Sequence, residues 1–303
     1  MLISFIICTY NRDKYIYQCL SCLASNVTDT AWELIFVNNN STDNTHAEYD
    51  RFLADFPNCR SAYYLEIQQG LSFARNRGIR EAHGDWLVFL DDDAFVGKDY
   101  VSILARYIMA LPDMVAFGGR IEPLFEVGEE PKWLCRWNRS WLSALDKGDT
   151  LSTFEGNDYP IGANMGFCRQ VVQKCGNFDT TLGRNGKNLI GGEEKDYFNR
   201  IKLHHGTIYY LPEIVVQHCI PPSRTTLKYI ACLGDGVGIS ERLRTRERGI
   251  YGRRLLQECF KWVATMILWA GYVCIGRVAC GNSLVLFRVH VTKNLLLHWS
   301  CKE

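Results

Sequence analysis

The sequence has almost no net charge. Its 34 lysines and arginines nearly balance its 33 aspartates and glutamates, which leaves a formal charge of +1 over 303 residues. Such a balance provides no overall field that would attract nucleic acid, so a charged partner has to be bound by a local group of residues. We therefore expect no nucleic-acid partner.

The sequence also lacks an export signal, a complete zinc motif, internal repeats and low-complexity tracts. Its apolar first residues, 2–7, have no charged leader and no cleavage site. The 13 cysteines are odd in number and scattered, and Cys19 and Cys22, which have the spacing of zinc ligands, have no second pair to complete a site. We expect buried thiols in a reducing cytosol and a first β-strand at the N-terminus.

Short apolar runs alternate with helix-length segments in the first hundred residues. Strands are predicted at 2–8, 33–38, 62–67 and 86–90, and helices at about 13–25, 44–55 and 71–83. This alternation predicts an α/β fold with a doubly wound, mostly parallel sheet. Ligands of such sheets bind beyond the carboxyl ends of the strands, so the residues that follow each strand are the candidates for a site.

Three aspartates, Asp91, Asp92 and Asp93, follow a continuously apolar strand. On an extended chain Asp91 and Asp93 project to one side and Asp92 to the other. Two carboxylates on one side repel unless a cation joins them, and Mg²⁺ or Mn²⁺ prefers carboxylate and phosphate oxygens as ligands. A solvated acidic turn at a helix start is the alternative. We favour a divalent-cation site.

Polar residues near other strand ends are weaker candidates. The amide of Asn38 could bind a base edge or only cap the following turn. Arg75, on the helix predicted at 71–83, could direct its guanidinium towards ribose or phosphate, although helix arginines are more often at the surface. His218 follows an apolar strand and could complete a metal shell or contact phosphate, whereas a lone histidine is more often structural.

A second acidic group follows Gly191 and Gly192. Glu193, Glu194 and Asp196 open a predicted helix there. A carboxylate beside an apolar wall is a usual general base for a sugar hydroxyl, which is far too weak an acid to ionise unaided. Capping of the helix N-terminus is the alternative, and both roles can coexist because one acid can cap while another reacts.

Together these segments resemble the family 2 glycosyltransferases of the GT-A fold over about residues 2–225. The resemblance lies in five segments in the family's order: Ile7-Cys8-Thr9-Tyr10-Asn11-Arg12, Phe36-Val37-Asn38-Asn39-Asn40-Ser41-Thr42-Asp43-Asn44-Thr45, Gly70 with Ala74-Arg75-Asn76-Arg77-Gly78, Leu90-Asp91-Asp92-Asp93, and Gly192-Glu193-Glu194-Lys195-Asp196. No single segment is specific, but all of them in this order are.

The resemblance implies roles for residues of these segments. It implies that the loop under the nucleotide is formed by Thr9, Tyr10, Asn11 and Arg12. It also implies that Asp91 and Asp93 hold ribose and metal, with Asp92 beside them in the donor site. The catalytic base that it implies is Glu194. Two positions depart from the family pattern. Asn38 stands where the family usually has an aspartate that contacts the base, and Glu194 where it often has the shorter aspartate.

The resemblance implies inverting transfer of a sugar from a nucleotide-sugar donor to a hydroxyl of a glycan or lipid-linked acceptor, with Mn²⁺ or Mg²⁺ as cofactor. Bacterial polysaccharide or other surface-glycan synthesis is the expected setting. A nucleotidyltransferase is one alternative, but it normally has a glycine-rich, basic phosphate loop where this chain has residues 9–12. A non-catalytic sugar-binding protein is the other, and the two separate acidic groups argue against it.

The character of the sequence changes near residue 225. We expect a GT-A domain at 1–225, with a nucleotide-binding half at about 1–113 and an acceptor half at about 114–225, and a basic, apolar helical extension at 226–303. Trp133, Trp137 and Trp141, in the acceptor half, could stack on a sugar ring, anchor at a membrane interface or simply pack.

Six arginines between residues 242 and 254 precede the apolar stretches 262–276 and 278–287. Each stretch is shorter than the ~20 residues that a bilayer span needs. Two interpretations stay open. One is peripheral contact of 242–287 with the inner face of the cell membrane, which would suit a lipid-linked acceptor. The other is a helical pair that packs on the protein or on a second subunit.

Overall fold

The computed structural model describes residues 1–185 and 191–297. Its strands are β1 (Leu2–Thr9), β2 (Ala31–Asn38), β3 (Ser61–Leu65), β4 (Trp86–Asp91), β5 (Ala94–Val96), β6 (Met114–Phe125), β7 (Ser152–Thr153), β8 (Asn164–Cys168) and β9 (Thr207–Ile220). Its α-helices are α1 (Asp13–Ala24), α2 (Thr45–Asp55), α3 (Leu71–Glu81), α4 (Tyr100–Ala110), α5 (Arg169–Cys175), α6 (Glu193–Leu203), α7 (Leu227–Glu247), α8 (Tyr251–Cys274) and α9 (Val278–Leu296). Short 3₁₀ helices lie at Arg139–Leu142 and Pro222–Thr225.

The strands of the described ranges form one sheet in the order β3-β2-β1-β4-β8-β6-β9-β5, and β7 pairs with β9. The first four strands in this order are parallel, and β8 joins β4 in the antiparallel sense. Their register places Thr9 opposite Asn38 and Cys8 opposite Asp91, so the carboxyl ends of these strands meet at one edge. The predicted α/β fold with a mostly parallel sheet is confirmed.

Both faces of the sheet are covered, as the continuously apolar strands predict. Successive side chains of β1 point to opposite faces. Ile3 and Phe5 pack in a cluster with residues of α1, α2 and α4, whereas Ile6 packs with residues of α3 and α6. Each of these three side chains is fully buried, which stabilises the fold by about 1.5–3 kcal/mol per side chain. This double packing fixes the positions of the loops that follow the strands.

The described residues divide into two compact units. The first unit holds 1–124, 143–185 and 193–219, which include most of the sheet and helices α1 to α6. The second unit holds 125–142, 191–192 and 220–297, which include α7, α8 and α9. Segment 125–142 thus groups with the C-terminal helices, although it lies far from them in sequence.

Two of the three tryptophans Trp133, Trp137 and Trp141 pack inside the second unit. Trp141 stacks on Phe287 with ring centroids 4.3 Å apart, and Trp133 lies 6.4 Å from the Trp141 ring. The indole Nε1 of Trp133 donates to the carbonyl of Thr225 at 2.7 Å. Trp137 is half exposed. Ordinary packing, one of the three interpretations, therefore describes Trp133 and Trp141.

Candidate active site

Asp91, Asp93 and His218 come together beyond the end of β4. Each offers one ligand atom, and these atoms all lie within 4.8 Å of one another. The Nε2 of His218 lies 3.1 Å from Oδ1 of Asp93, and both side chains are almost completely buried. His218 lies inside β9, opposite Ala94 of β5, and not at a strand end as the sequence suggested. We call these three residues the acid cluster.

The composition of the acid cluster fits a divalent cation. Two carboxylates and an imidazole are ligands that Mn²⁺ accepts. They would fill only part of its coordination shell and leave positions for substrate oxygens. The guanidinium of Arg12 makes an ion pair with Asp93 and lies 3.6 Å from Oδ1 of Asp92. Positive charge from the loop after β1 therefore already faces the buried carboxylates.

Asp92 is not among the three clustered ligands. Asp92 and Asp93 lie in the turn that follows β4, so the alternation of an extended chain does not apply to them. Its Oδ2 accepts a hydrogen bond from Oγ1 of Thr9 at 2.6 Å. Burial raises the pKa of Asp92 to about 7, which Arg12 opposes by favouring the charged form and Asp93 reinforces by repulsion. Asp92 thus joins β4 to the loop after β1 and is not one of the clustered ligands.

The loops after β1 and β2 hold each other in place. Asn11 adopts a left-handed conformation, with φ of 51°, which asparagine tolerates better than most residues. Its backbone NH donates to Oγ of Ser41 at 3.0 Å, and its side-chain Oδ1 accepts from the backbone NH of Thr42 at 2.8 Å. Tyr10, next to it, is exposed. The predicted nucleotide loop is therefore pre-shaped by contacts with its neighbour.

The amide of Asn38 is occupied within the protein. Its Nδ2 donates to the hydroxyl of Tyr63 at 2.8 Å, and its Oδ1 accepts from the backbone NH of Ser41 at 2.8 Å. These bonds match the capping interpretation of Asn38. These bonds use one of the two Nδ2 hydrogens and one of the two lone pairs of Oδ1, so a contact with a nucleotide base could be added to them.

Arg75 is buried, contrary to the usual surface position of a helix arginine. It lies on α3 with only 2% of its surface exposed. Its Nη1 donates to Oε1 of Glu193 at 2.9 Å, and its Nη2 donates to Oε1 of Glu194 at 3.0 Å. Nη2 also lies 3.9 Å from Oδ1 of Asp91. One guanidinium therefore connects the second acidic group with the acid cluster.

Glu194 is held at the start of α6 by two donors. Its Oε1 accepts from Arg75 and from the backbone NH of Gly162, each at 3.0 Å. A Cβ at Gly162 would collide with both Oε1 of Glu194 and Nη2 of Arg75, so glycine is required for this close approach. Burial raises the pKa of Glu194 to about 7, reinforced by Glu193 and opposed by Arg75. A carboxylate with this pKa can accept a proton near neutral pH.

The sequence named no role for Glu193, and it did not link Gly162 to the site. Glu193 is almost fully buried, and its Oε2 has no hydrogen-bond partner in the described part of the chain. The adjacent pair Glu193 and Glu194 could have indicated a buried cationic partner. Two neighbouring carboxylates at a partly buried helix start require a cation.

The fold and the paired acidic groups agree with the comparisons with known proteins. The profile described as Glycosyl transferase family 2 matches residues 4–176, more than half of the chain. The chain belongs to this glycosyltransferase family. The resemblance inferred from the sequence is thereby confirmed, and a transferase is preferred to the two alternative classes.

Characterised relatives are similar over most of their length. The glucosyl-dolichyl phosphate glucuronosyltransferase of Haloferax volcanii is 26% identical over 249 residues, which cover 80% of this chain and 77% of the relative. The succinoglycan biosynthesis protein ExoM of Rhizobium meliloti is 26% identical over 232 residues, which cover 74% of this chain and 69% of the relative. Bacterial polysaccharide synthesis is thus represented among the relatives.

Solved structures show the same fold. A mannosyltransferase from Pyrobaculum calidifontis, determined with GDP-Man and Mn²⁺, superposes with a TM-score of 0.63 at 15% identity and covers 97% of this chain and 87% of that one. A fragment of TarS from S. aureus superposes with a TM-score of 0.53 at 14% identity and covers 97% and 91%. The predicted GT-A fold is confirmed.

Proposed function

We propose that this glycosyltransferase is inverting, and that Glu194 takes the proton of an acceptor hydroxyl while the acid cluster holds the diphosphate side of a nucleotide-sugar donor. The observation that carries this proposal is the position of Arg75, whose guanidinium binds Glu194 and lies 3.9 Å from Asp91. Arg75 thus lies between the proposed base and the acid cluster. This arrangement suits a displacement in which the acceptor and the leaving group lie on opposite sides of the sugar.

The proton transfer is assigned to Oε2 of Glu194. Oε1 is used by Arg75 and Gly162, which fix the carboxylate in one orientation. The attacking oxygen would lose its proton to Oε2 as its bond to the anomeric carbon forms and the bond to the diphosphate breaks. One base suffices for this single displacement, since no covalent glycosyl intermediate is needed.

The donor side is assigned to the acid cluster and the loop after β1. A divalent cation held by Asp91, Asp93 and His218 would neutralise charge on the departing diphosphate. We propose that Arg12 contacts the same phosphate oxygens, a role supported by the position of its guanidinium beside Asp92 and Asp93. The remaining donor contacts that we propose come from Thr9, Tyr10, Asn11 and Asn38.

The two mannose- and glucuronate-transferring proteins above suggest the classes of donor and acceptor. The Pyrobaculum mannosyltransferase binds GDP-Man together with Mn²⁺, and the Haloferax protein is named for a dolichyl phosphate substrate. We propose a nucleotide-sugar donor, Mn²⁺ or Mg²⁺, and a glycan or lipid-linked acceptor of surface-glycan synthesis. A cytoplasmic location with peripheral contact at the inner face of the cell membrane would suit such an acceptor.

A donor screen tests this function. UDP-, GDP- and dTDP-sugars are offered to the full chain with and without Mn²⁺, and both binding and release of nucleoside diphosphate are measured. Asp93→Ala should lose Mn²⁺-dependent donor binding, whereas Glu194→Gln should keep it and lose about 100-fold or more in turnover.

Matched controls use exposed acids outside the site. Asp29→Ala and Glu129→Gln change surface carboxylates of the same kinds and should leave binding and turnover unchanged. If no nucleotide sugar binds, or if Asp93→Ala and Glu194→Gln behave like these controls, the assignment of the site is wrong.

A further inference from the structure

Helix α8 buries polar side chains and leaves an apolar stripe exposed along its length. The residues that it buries in the second unit are Arg254, Glu258 and Thr265. The opposite side is lined by exposed apolar side chains over about five turns, which we call the outer face: Leu256, Phe260, Val263, Ile267, Ala270 and Cys274. A usual surface helix turns its apolar stripe to the core. Helix α8 leaves such a stripe exposed, although Leu268 and Tyr272 of its C-terminal half pack against Cys280 and Leu284.

The inward polar residues of α8 are joined in a network of ion pairs and hydrogen bonds, which explains why they can be buried. Nη1 of Arg254 donates to Oε2 of Glu258 at 2.7 Å, and Nε of Arg254 donates to Oε2 of Glu241 at 2.8 Å. Nη1 of Arg288 and Oγ1 of Thr292 donate to Oε1 of Glu258. Because these buried charges need one another, α8 cannot simply rotate to hide its outer face.

The outer face is large and strongly apolar. Phe260 is 68% exposed, Ile267 67%, Val263 61% and Leu256 59%. These residues follow the i, i+4, i+7, i+11 pattern of one helical stripe. A continuous apolar stripe of this size on an exposed helix is typical of an interaction surface. In the described part of the chain no helix is long and apolar enough to cross a membrane.

The charges around the outer face favour a lipid surface as its partner. Arg253 is exposed at the start of α8, and Arg277 is exposed just beyond its end. Between residues 248 and 297 the sequence holds a single acid, Glu258, and that acid is buried in the network described above. The exposed acid Glu247 lies just before this range. Anionic lipid headgroups would supply the negative charge that residues 248–297 do not expose.

A second copy of the chain fits this surface less well. Antiparallel pairing of two α8 helices would bring Arg253 of one copy close to Arg277 of the other, and parallel pairing would set Arg253 against itself. Neither arrangement gives these cations an acidic partner from 248–297. Two outer faces could bury their apolar residues together only by placing like charges side by side.

We propose that the outer face of α8 binds an anionic lipid bilayer and lies in the plane of its interface. The apolar stripe enters the boundary between headgroups and acyl chains, and Arg253 and Arg277 contact lipid phosphates. This surface belongs to the second unit, and its function does not depend on the assignment of Glu194 or of the acid cluster.

Flotation of the full chain with vesicles tests the proposal without any donor present. The wild-type chain should float with vesicles of phosphatidylcholine and phosphatidylglycerol and bind pure phosphatidylcholine much less. The double variant Phe260→Ser and Ile267→Ser should lose about tenfold or more in partitioning to the mixed vesicles. Arg253→Gln with Arg277→Gln should remove the preference for phosphatidylglycerol.

The matched control is Ile67→Ser with Leu203→Ser, which changes two apolar residues that are 71% and 73% exposed in the first unit. This control should bind vesicles like the wild type, and circular dichroism establishes that each variant is folded. Two results overturn the proposal: equal binding by the outer-face variant and the control, or no vesicle binding by the wild type. Light scattering that shows a dimer converted to monomer by Phe260→Ser and Ile267→Ser, without lipid binding, would assign the face to a second copy instead.

Discussion

The guanidinium of Arg75 and the carboxylate of Glu194 form a partly buried ion pair, with Nη2 3.0 Å from Oε1. The same guanidinium binds Glu193 through Nη1 at 2.9 Å. The guanidinium of Arg75 therefore has two functions. It neutralises two carboxylates at the start of α6, and it fixes the direction in which the proposed base points.

Replacement of Arg75 by lysine tests the second of these functions. Lysine keeps the positive charge but cannot bind two carboxylates as a planar fork. We expect Arg75→Lys to lower kcat by about 10- to 100-fold while the KM for the donor changes little, because the base loses its orientation. Steady-state kinetics checks this split. Arg80→Lys, at an exposed position of the same helix, should match the wild type, and an unchanged kcat in Arg75→Lys would contradict the positioning role.

Removal of the guanidinium tests the first function. Arg75→Ala leaves Glu193 buried without a counter-charge, and breaking a buried pair in this way costs about 3–5 kcal/mol. Urea unfolding should therefore show a large drop in the free energy of unfolding. The double variant Arg75→Ala with Glu193→Gln should recover part of it, since the uncompensated charge is gone. A loss of less than about 1 kcal/mol in Arg75→Ala would show that the pair contributes little.

The pH dependence follows from the pKa of Glu194, which burial raises to about 7. The base acts as the carboxylate, so its active form is lost as the pH falls through this pKa. We expect kcat/KM to fall about tenfold per pH unit below pH 7 and to level off above it. In Arg75→Lys, weaker pairing with the charged form should move this limb to higher pH.

Asp92 also has a pKa of about 7, so its contribution has to be separated. Asp92→Asn removes that ionisation and keeps the hydrogen-bond acceptor for Thr9. If Glu194 is responsible for the limb, its midpoint should be the same in Asp92→Asn as in the wild type. Loss of the limb in this variant would transfer the titration to Asp92.

The alternation of strands and helices was enough to predict the sheet, and with it the edge at which Thr9, Asn38 and Asp91 meet. Neighbouring parallel strands end together, so residues just past their ends are brought close whatever the loops do. The prediction that His218 lies near this edge agrees with the structure, but the prediction that it ends its strand is wrong. The strand continues to Ile220 because Cys219 and Ile220 extend its apolar run.

The environment of Arg75 could not be predicted in the same way. Its partners Glu193 and Glu194 follow it by 118 and 119 residues, and no local pattern encodes a contact of that range. A helix arginine considered alone belongs at the surface. The burial of Arg254 in α8 could not be predicted for a similar reason, since the acid that pairs with it, Glu241, lies on another helix.

Gly162 offers the most selective test of the site's geometry. It has no Cβ, and its backbone NH binds Oε1 of Glu194 at 3.0 Å. In Gly162→Ala the new methyl group would collide with Oε1 of Glu194 and Nη2 of Arg75, so one of these side chains has to move. A shift of about 1 Å in a catalytic group can cost about 100-fold in rate. We therefore expect a loss of turnover of that order while Mn²⁺-dependent donor binding is kept.

Gly97→Ala is the matched control, because a Cβ at Gly97 meets no atom within 4 Å. Turnover measured for both variants, with calorimetric donor titration, distinguishes the outcomes. Equal turnover in the two variants would show that Glu194 does not need this fixed approach to the backbone, and the assignment of Oε2 as the proton acceptor would lose its basis.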